Sequence, residues 1–138
     1  MFAFGHYFST YFLIKCLGSE EEKRLILLLS LTGILPDIDI LLPIPHRTLT
    51  HHLYFFFPEI FFYNLILYAL SRKTNLVLPI LIHFMHIFSD ALFGPVEILP
   101  GIKIAILNFA SPAWDLIYGV FFLLLSYKIK SRYQALQV

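Results

Sequence analysis

The sequence predicts an all-α membrane bundle of about five helices with a metal site at one membrane face. Three observations carry that expectation. The 138-residue chain is 59% hydrophobic and only 14% charged, against about 45–50% and 25% for an average soluble domain. Its mean hydropathy is +0.78. Finally, His6, Asp37, Asp39, His46, His51, His86 and Asp90 fall at one end of the expected helices, and most Lys and Arg at the other.

The length suits one domain, residues 1–138. A net charge of +1 with no basic stripe gives no reason to expect nucleic acid. The lone Cys16 excludes an internal disulfide and a Cys-rich zinc motif. Met1 to His6 lacks the basic start of a secretory signal, so the whole chain is read as mature.

The first helix is expected from about Ala3 to Leu17, stopped by Gly18. Ser19 is expected to cap a second helix from about Glu21 to Leu35, with Glu20, Glu21 and Glu22 suiting its dipole. Pro36, Pro43 and Pro45 then predict an irregular loop carrying Asp37 and Asp39. A third helix is expected from Thr48 or Thr50 to Leu70, kinked at Pro58. The polar turn Ser71 to Asn75 leads to a fourth helix, about Leu76 to Leu92, with Pro79 tolerated in its first turn. Residues 95–110 read as a re-entrant loop, a short interfacial helix, or both. Ser111 and Pro112 start a fifth helix that runs to about Lys128. Several of these helices are short for a hydrocarbon core that takes about 20 residues to cross.

Charge sets the expected orientation. Lys15, Lys23, Arg24, Arg72, Lys73, Lys128, Lys130 and Arg132 fall on one side, leaving only Arg47 and Lys103 on the other. The expectation is therefore a multi-pass protein of the cell membrane, its site opposite the basic, cytoplasmic side.

His86 and Asp90 are four residues apart and share a helix face. Such a pair can grip one metal ion; it can equally hydrogen-bond to neighbouring helices. His83 lies deeper, near the same face. Asp37, Asp39, His46, Arg47, His51 and His52 crowd into sixteen positions. Carboxylates and imidazoles suit zinc or manganese, and an Arg suits a phosphate. Solvated turn-forming Asp explains either acid singly, but not the whole crowd. Thr48 or Thr50 is expected to cap a helix whose free N–H groups favour an anion. His6 gains weight from lying on the same side, and adjacency to His51 makes His52 a spare. Glu59, in mid-helix, is expected to be protonated or paired with Tyr63 or Asn64, with a deep ligand or a proton relay as the alternative. Asp115 reads as a first-turn structural acid. Glu97 and Lys103 are placed to meet a headgroup, and Trp114, Tyr118 and Tyr127 suit interfacial belts.

Gly5-His6, Leu35-Pro36-Asp37-Ile38-Asp39, His46-Arg47-Thr48-Leu49-Thr50-His51 and His86-Ile87-Phe88-Ser89-Asp90, followed by Leu92 and Pro95, occur in that order. This arrangement resembles the YdjM-like family of membrane-bound, predicted metal-dependent hydrolases, over roughly His6 to Pro100. That family is in turn similar to the zinc-dependent phospholipase C and single-strand nuclease group. The resemblance implies an all-helical fold, a metal cluster and phosphoester hydrolysis. It marks His6, Asp37, His51, His86 and Asp90 as ligands, with Asp39, His46 and Arg47 as neighbours in the site. In the expected reaction Asp37 or Asp39 holds the metal or takes the proton from its water, Arg47 steadies the anionic substrate and His46 protonates the leaving oxygen. The chain departs from the family at Ile40, where His is common, and at Thr48, where Gly is common. No second His-x-x-x-acid pair follows Asp90, so one or two ions are expected, zinc first and manganese second.

The expected substrate is a phosphoester in a membrane lipid or lipid-linked headgroup. The rival readings are a transporter or channel using Glu59, His83 and His86, and a metal-binding membrane protein without turnover. No internal repeat of the transporter kind is visible.

Overall fold

The computed structural model describes residues 3–17, 23–41, 43, 45–107 and 111–135, with side chains described through Lys128. It is mostly helical. Five α-helices occur among the described residues: α1 (Ala3–Leu17), α2 (Lys23–Ser30), α3 (Phe56–Ser71), α4 (Val77–Phe93) and α5 (Pro112–Ala135). The expected break at Gly18 and cap at Ser19 to Glu22 lie outside the described residues.

Contacts between helices fix their directions. Asp115 Oδ1, at the start of α5, accepts the Gly5 N–H at 3.1 Å, satisfying a donor that the first turn of α1 leaves free. Farther along, Lys15 Nζ donates to the Ser126 carbonyl at 2.9 Å. The two helices therefore run parallel. They pack closely because Gly119 has no Cβ, which would come within 2.5 Å of the Phe4 ring. α3 and α4 form an antiparallel hairpin. Asn64 locks its turn by accepting the Asn75 N–H at 2.6 Å and donating to the Asn75 carbonyl at 2.9 Å. Arg72, in the left-handed conformation, ends α3. Asn75 Oδ1 caps α4 by accepting the Leu78 N–H at 3.0 Å.

Four sequence expectations are corrected. The stretch from Leu31 to Leu41 is a continuous 3-10 helix, not a helix ending in an irregular loop, and Pro36 lies inside it. Thr32 Oγ1 donates to the Leu29 carbonyl at 2.7 Å, a back-bond that supports the tighter winding. Pro58 does not kink α3 but sits in its first turn, because Leu49–His51 and Leu53–Phe55 are separate 3-10 turns. Neither threonine caps a helix: Thr48 Oγ1 donates to the Pro45 carbonyl and Thr50 Oγ1 to Asp39. Lastly, residues 95–110 contain neither a re-entrant loop nor a helix among those described. Val96–Leu99 (β1) and Ile102–Ile104 (β2) form an antiparallel hairpin. Its Pro100-Gly101 turn uses the positive φ of Gly101.

One apolar cluster, built from Ile14, Leu25, Leu29, Tyr63, Leu67, Leu78 and Ile82, fills the half of the bundle nearer the basic ends. A smaller one, Ile87, Ala91 and Val96, seats the hairpin on α4. The overall distribution is inverted relative to a water-soluble core. Among the described residues, seventeen buried side chains are polar and twelve are hydrophobic. Large apolar side chains instead face outward, including Phe57, Phe61 and Leu65 on α3, Phe84 on α4, and Phe121 and Leu124 on α5. Among the described residues, Leu53–Ser71 is the one stretch long and apolar enough to cross a membrane, and α4 is a shorter apolar helix.

Candidate metal centre

Four segments deliver five polar side chains to one end of the bundle. α1 supplies His6, the 3-10 helix Asp37, the 3-10 turn His51, and α4 both His86 and Asp90. One ligand atom each from His6, Asp37, His86 and Asp90 lies within 4.8 Å of all the others, and all four residues are buried. His6 Nε2 is 3.3 Å from Asp90 Oδ1 and 3.7 Å from Asp37 Oδ2. His86 Nε2 is 3.5 Å from Asp90 Oδ2 and 3.7 Å from Asp37 Oδ1. The His6 and His86 rings stack with centroids 3.7 Å apart.

These spacings fit a shared ion better than a closed hydrogen-bond network. Two ligands about 2.0–2.1 Å from one tetrahedral ion lie roughly 3.3 Å apart. Separations near 3.7 Å are too long for hydrogen bonds. Neither oxygen of the buried Asp37 has a hydrogen-bond partner among the described residues, an arrangement that costs free energy unless a cation compensates it. The tautomer of His86 is also suitable. A carbonyl only accepts, so Nδ1–H donates to the Gly33 carbonyl at 2.8 Å, and Nε2 turns its lone pair to the cluster. Metal-binding histidines are commonly fixed in this way. Gly33 is required by close packing, since a Cβ there would lie 1.9 Å from Thr10 Oγ1.

His51 adjoins the four. Its Nε2 is 2.8 Å from Asp90 Oδ2, 3.1 Å from His86 Nε2 and 3.7 Å from Asp37 Oδ1. Burial alone would lower its pKa, but the contacts and charges of Asp37 and Asp90 outweigh that and push it up to about 9. Burial likewise acts to raise the Asp37 pKa, but His51, His86 and His6 hold it below the usual carboxylate value.

Asp39, His46 and Arg47 form the outer edge. Asp39 is fully buried and both its oxygens are engaged. Oδ1 accepts the His46 Nδ1–H at 2.6 Å; Oδ2 accepts the Arg47 N–H at 2.9 Å and the Thr50 hydroxyl at 2.8 Å. The opposite nitrogen of His46, Nε2, is 3.9 Å from Asp37 Oδ1, and the side chain is 35% exposed. Arg47 has a left-handed backbone (φ 63°) and places Nη2 3.1 Å from Asp90 Oδ1. Its carbonyl accepts the Glu97 N–H at 3.1 Å, so the β-hairpin braces this loop.

The remaining sequence expectations are placed as follows. His52 turns away to Tyr54 and Glu97. Glu59 reaches across to α4, where its Oε2 lies 2.7 Å from His83 Nδ1. That pairing was missed because the two residues lie on different helices. Glu97 takes the Gly101 N–H at 3.0 Å and pairs across the hairpin with Lys103. The hydroxyl of Tyr118 is bound to Ser89 at 2.6 Å, so Tyr118 is an interior contact, whereas Trp114 and Tyr127 face outward.

The fold and site define a helical protein with a buried His/Asp group able to hold a metal ion. No family model, curated protein or solved structure matches the chain.

Proposed function

We propose that this chain is a multi-pass membrane protein and a metal-dependent hydrolase acting on a phosphoester in a lipid or lipid-linked headgroup. The observation that carries the reading is the convergence of His6, Asp37, His86 and Asp90 within 4.8 Å, with Asp37 buried and lacking a hydrogen bond among the described residues. These residues and His51 would hold one or two ions. The nitrogen and oxygen donor set favours zinc, then manganese.

Several features support the membrane setting. Polar side chains are buried and large apolar ones exposed, the pattern expected where lipid replaces water. The stretch Leu53–Ser71 begins two residues after His51 and ends next to Arg72 and Lys73. The site would thus lie at headgroup level, opposite the basic ends. Ile38, Ile40 and Leu41 point outward from the segment that buries Asp37 and Asp39, and Leu49 does the same beside His51. Such a rim favours a substrate that arrives within the membrane.

A divalent ion bound here would supply a Lewis acid for a phosphoryl oxygen and lower the pKa of water at the site. The chain's own groups supply the rest. Asp39, with both oxygens engaged, acts as a positioning residue that fixes the His46 ring. His46 then carries a proton at Nε2, at the exposed edge, to or from the reacting oxygen. Arg47 offers a guanidinium to an anionic phosphate. The resemblance to the YdjM-like hydrolases points to the same chemistry.

The test is elemental analysis of protein purified in mild detergent, run beside phosphodiester and phosphomonoester turnover. Near-stoichiometric zinc or manganese with metal-dependent turnover is expected. Bound metal without turnover would leave a binding protein; absence of metal would remove the proposal.

A further inference from the structure

A second pair of ionisable groups lies one helical turn beneath the cluster, and nothing in the chemistry above uses it. Glu59 on α3 and His83 on α4 are both fully buried, with Oε2 2.7 Å from Nδ1. The pair does not have the geometry of a formed hydrogen bond, but two lone pairs would repel at that separation, so at least one of the two groups carries a proton. The other ring nitrogen, Nε2, is 3.2 Å from the carbonyl oxygen of His52. That oxygen only accepts, so Nε2 carries hydrogen. The pair is therefore either imidazolium with carboxylate or imidazole with carboxylic acid. In both forms Glu59 selects the state of His83 that donates to His52.

His52 follows His51, whose Nε2 reaches Asp90 at 2.8 Å and His86 at 3.1 Å. His86, three residues after His83, performs the same operation on another segment, donating to the Gly33 carbonyl at 2.8 Å. The two histidines of α4 thus each hold the backbone of a segment that brings a site residue: Gly33 before Asp37, His52 after His51. Stability alone does not account for the Glu59–His83 pair. Packed apolar side chains of similar volume are often as good as a buried ion pair or better.

We propose that Glu59 is a positioning residue for the metal centre, acting through His83 and the His52 carbonyl to hold His51 against the cluster. The inference rests on the metal-binding reading above. It gives a deep carboxylate on the candidate membrane-spanning helix a role at the site without any movement of ions through the bundle.

The experiment is a zinc titration of the full chain in detergent against a chromogenic chelator, with the visible spectrum of added cobalt as a second readout. Glu59→Leu is expected to weaken zinc binding about 10–100-fold, the usual effect of losing an outer partner of a ligand. It should also shift the cobalt bands. Glu59→Gln, whose amide can donate to His83 Nδ1, should stay within about threefold of wild type. The double variant Glu59→Leu/His83→Leu should bind no more weakly than His83→Leu alone, because the two residues act in series. Leu67→Ala is the control for general loosening: it should lower the melting temperature and leave the cobalt spectrum unchanged. Should Glu59→Leu fail to fold, Glu59→Asp, which retracts the carboxylate by one methylene, must still weaken binding.

Wild-type zinc affinity and cobalt spectrum in Glu59→Leu, or in Glu59→Asp if that variant is needed, would overturn the inference while leaving the metal site intact. Failure of the wild-type protein to bind zinc or cobalt would overturn the metal reading and this inference together.

Discussion

His46 Nδ1 lies 2.6 Å from Asp39 Oδ1, and this contact divides the polar end of the bundle into two working parts. The buried part, His6, Asp37, His86 and Asp90, has donor atoms at spacings suited to a shared ion. In the outer part, a fully engaged carboxylate orients an imidazole that is still reachable from outside. If the chain turns over the proposed phosphoester, His46→Ala is therefore expected to lower kcat about 100-fold, within the range for loss of a general acid or base. Asp39→Asn should also lower kcat, because its amide nitrogen faces donors it cannot accept from. Elemental analysis of His46→Ala should still find metal. Loss of metal in that variant would make His46 a ligand instead.

Removal of an inner residue has the opposite profile. His86→Ala and Asp90→Ala are each expected to weaken zinc binding by at least about 100-fold, since ligand loss should exceed the about 10–100-fold effect of outer-shell changes. Asp90→Ala also leaves Arg47 without the carboxylate oxygen 3.1 Å away. His86→Ala is thus the cleaner variant. Metal content and circular dichroism measured on the same preparation separate loss of ligand from loss of fold.

Much of this site was legible in the sequence, and the reasons differ by segment. His86 and Asp90 announce themselves because i and i+4 share a helix face. The crowding of Asp37, Asp39, His46, Arg47 and His51 was visible because acids and imidazoles are rare in so apolar a chain. The form of the 31–41 segment was not legible, since proline ends an α-helix far more readily than it predicts a long 3-10 run. The hairpin had a signal, the Pro100-Gly101 turn between the alternating Val96-Glu97-Ile98 and Ile102-Lys103-Ile104, outweighed by the helical character of its surroundings. No local pattern could show that Gly33 offers its carbonyl to His86 or that Glu59 meets His83. Both depend on helix packing.

Gly33 gives a prediction that joins packing to the site. A methyl group at this position would collide with Thr10, with Oγ1 at 1.9 Å and Cβ at 2.8 Å. Gly33→Ala must displace the 3-10 helix, at a cost of about 1–3 kcal/mol for overpacking. The same displacement moves the carbonyl that holds His86 Nδ1, so zinc affinity should fall along with the melting temperature. Thr10→Ala removes Oγ1, the nearest clashing atom, and should recover part of both losses when combined with Gly33→Ala. A normal melting temperature for Gly33→Ala would mean that α1 and the 3-10 helix pack less closely than described.

pH acts in opposite directions on the metal-free and metal-bound protein. In the metal-free site His51 has a pKa of about 9, above the ordinary imidazole value of 6.5. A pKa raised on folding contributes stability that is fully present below about 6.5 and is lost as pH rises through about 9. The metal-free protein should therefore lose this contribution across that interval, read as a falling melting temperature in chelator. A bound ion needs the imidazole unprotonated. If His51 is a ligand, zinc affinity should rise about tenfold per pH unit up to about 9 and then level off. Calorimetry in two buffers of different ionisation enthalpy would count the released proton. A flat affinity over this range would remove His51 from the ligand set.

The outward apolar faces provide the final prediction. Phe61 is 62% exposed on the stretch Leu53–Ser71. Its ring points away from the bundle, while Glu59 and Tyr63 on the same helix point inward. In water such a surface would drive aggregation; in a bilayer it is the contact surface. Phe61→Lys should therefore leave the packed interior intact but penalise insertion by about 2.5–3.5 kcal/mol on the scale for a charge at mid-membrane. The protein should resist extraction by alkaline carbonate and yield to mild detergent, and the variant should shift measurably to the carbonate-soluble fraction. Release of the wild-type chain by carbonate would instead make α3 a buried face in an assembly of protein chains, and the proposed lipid substrate would lose its route to the site.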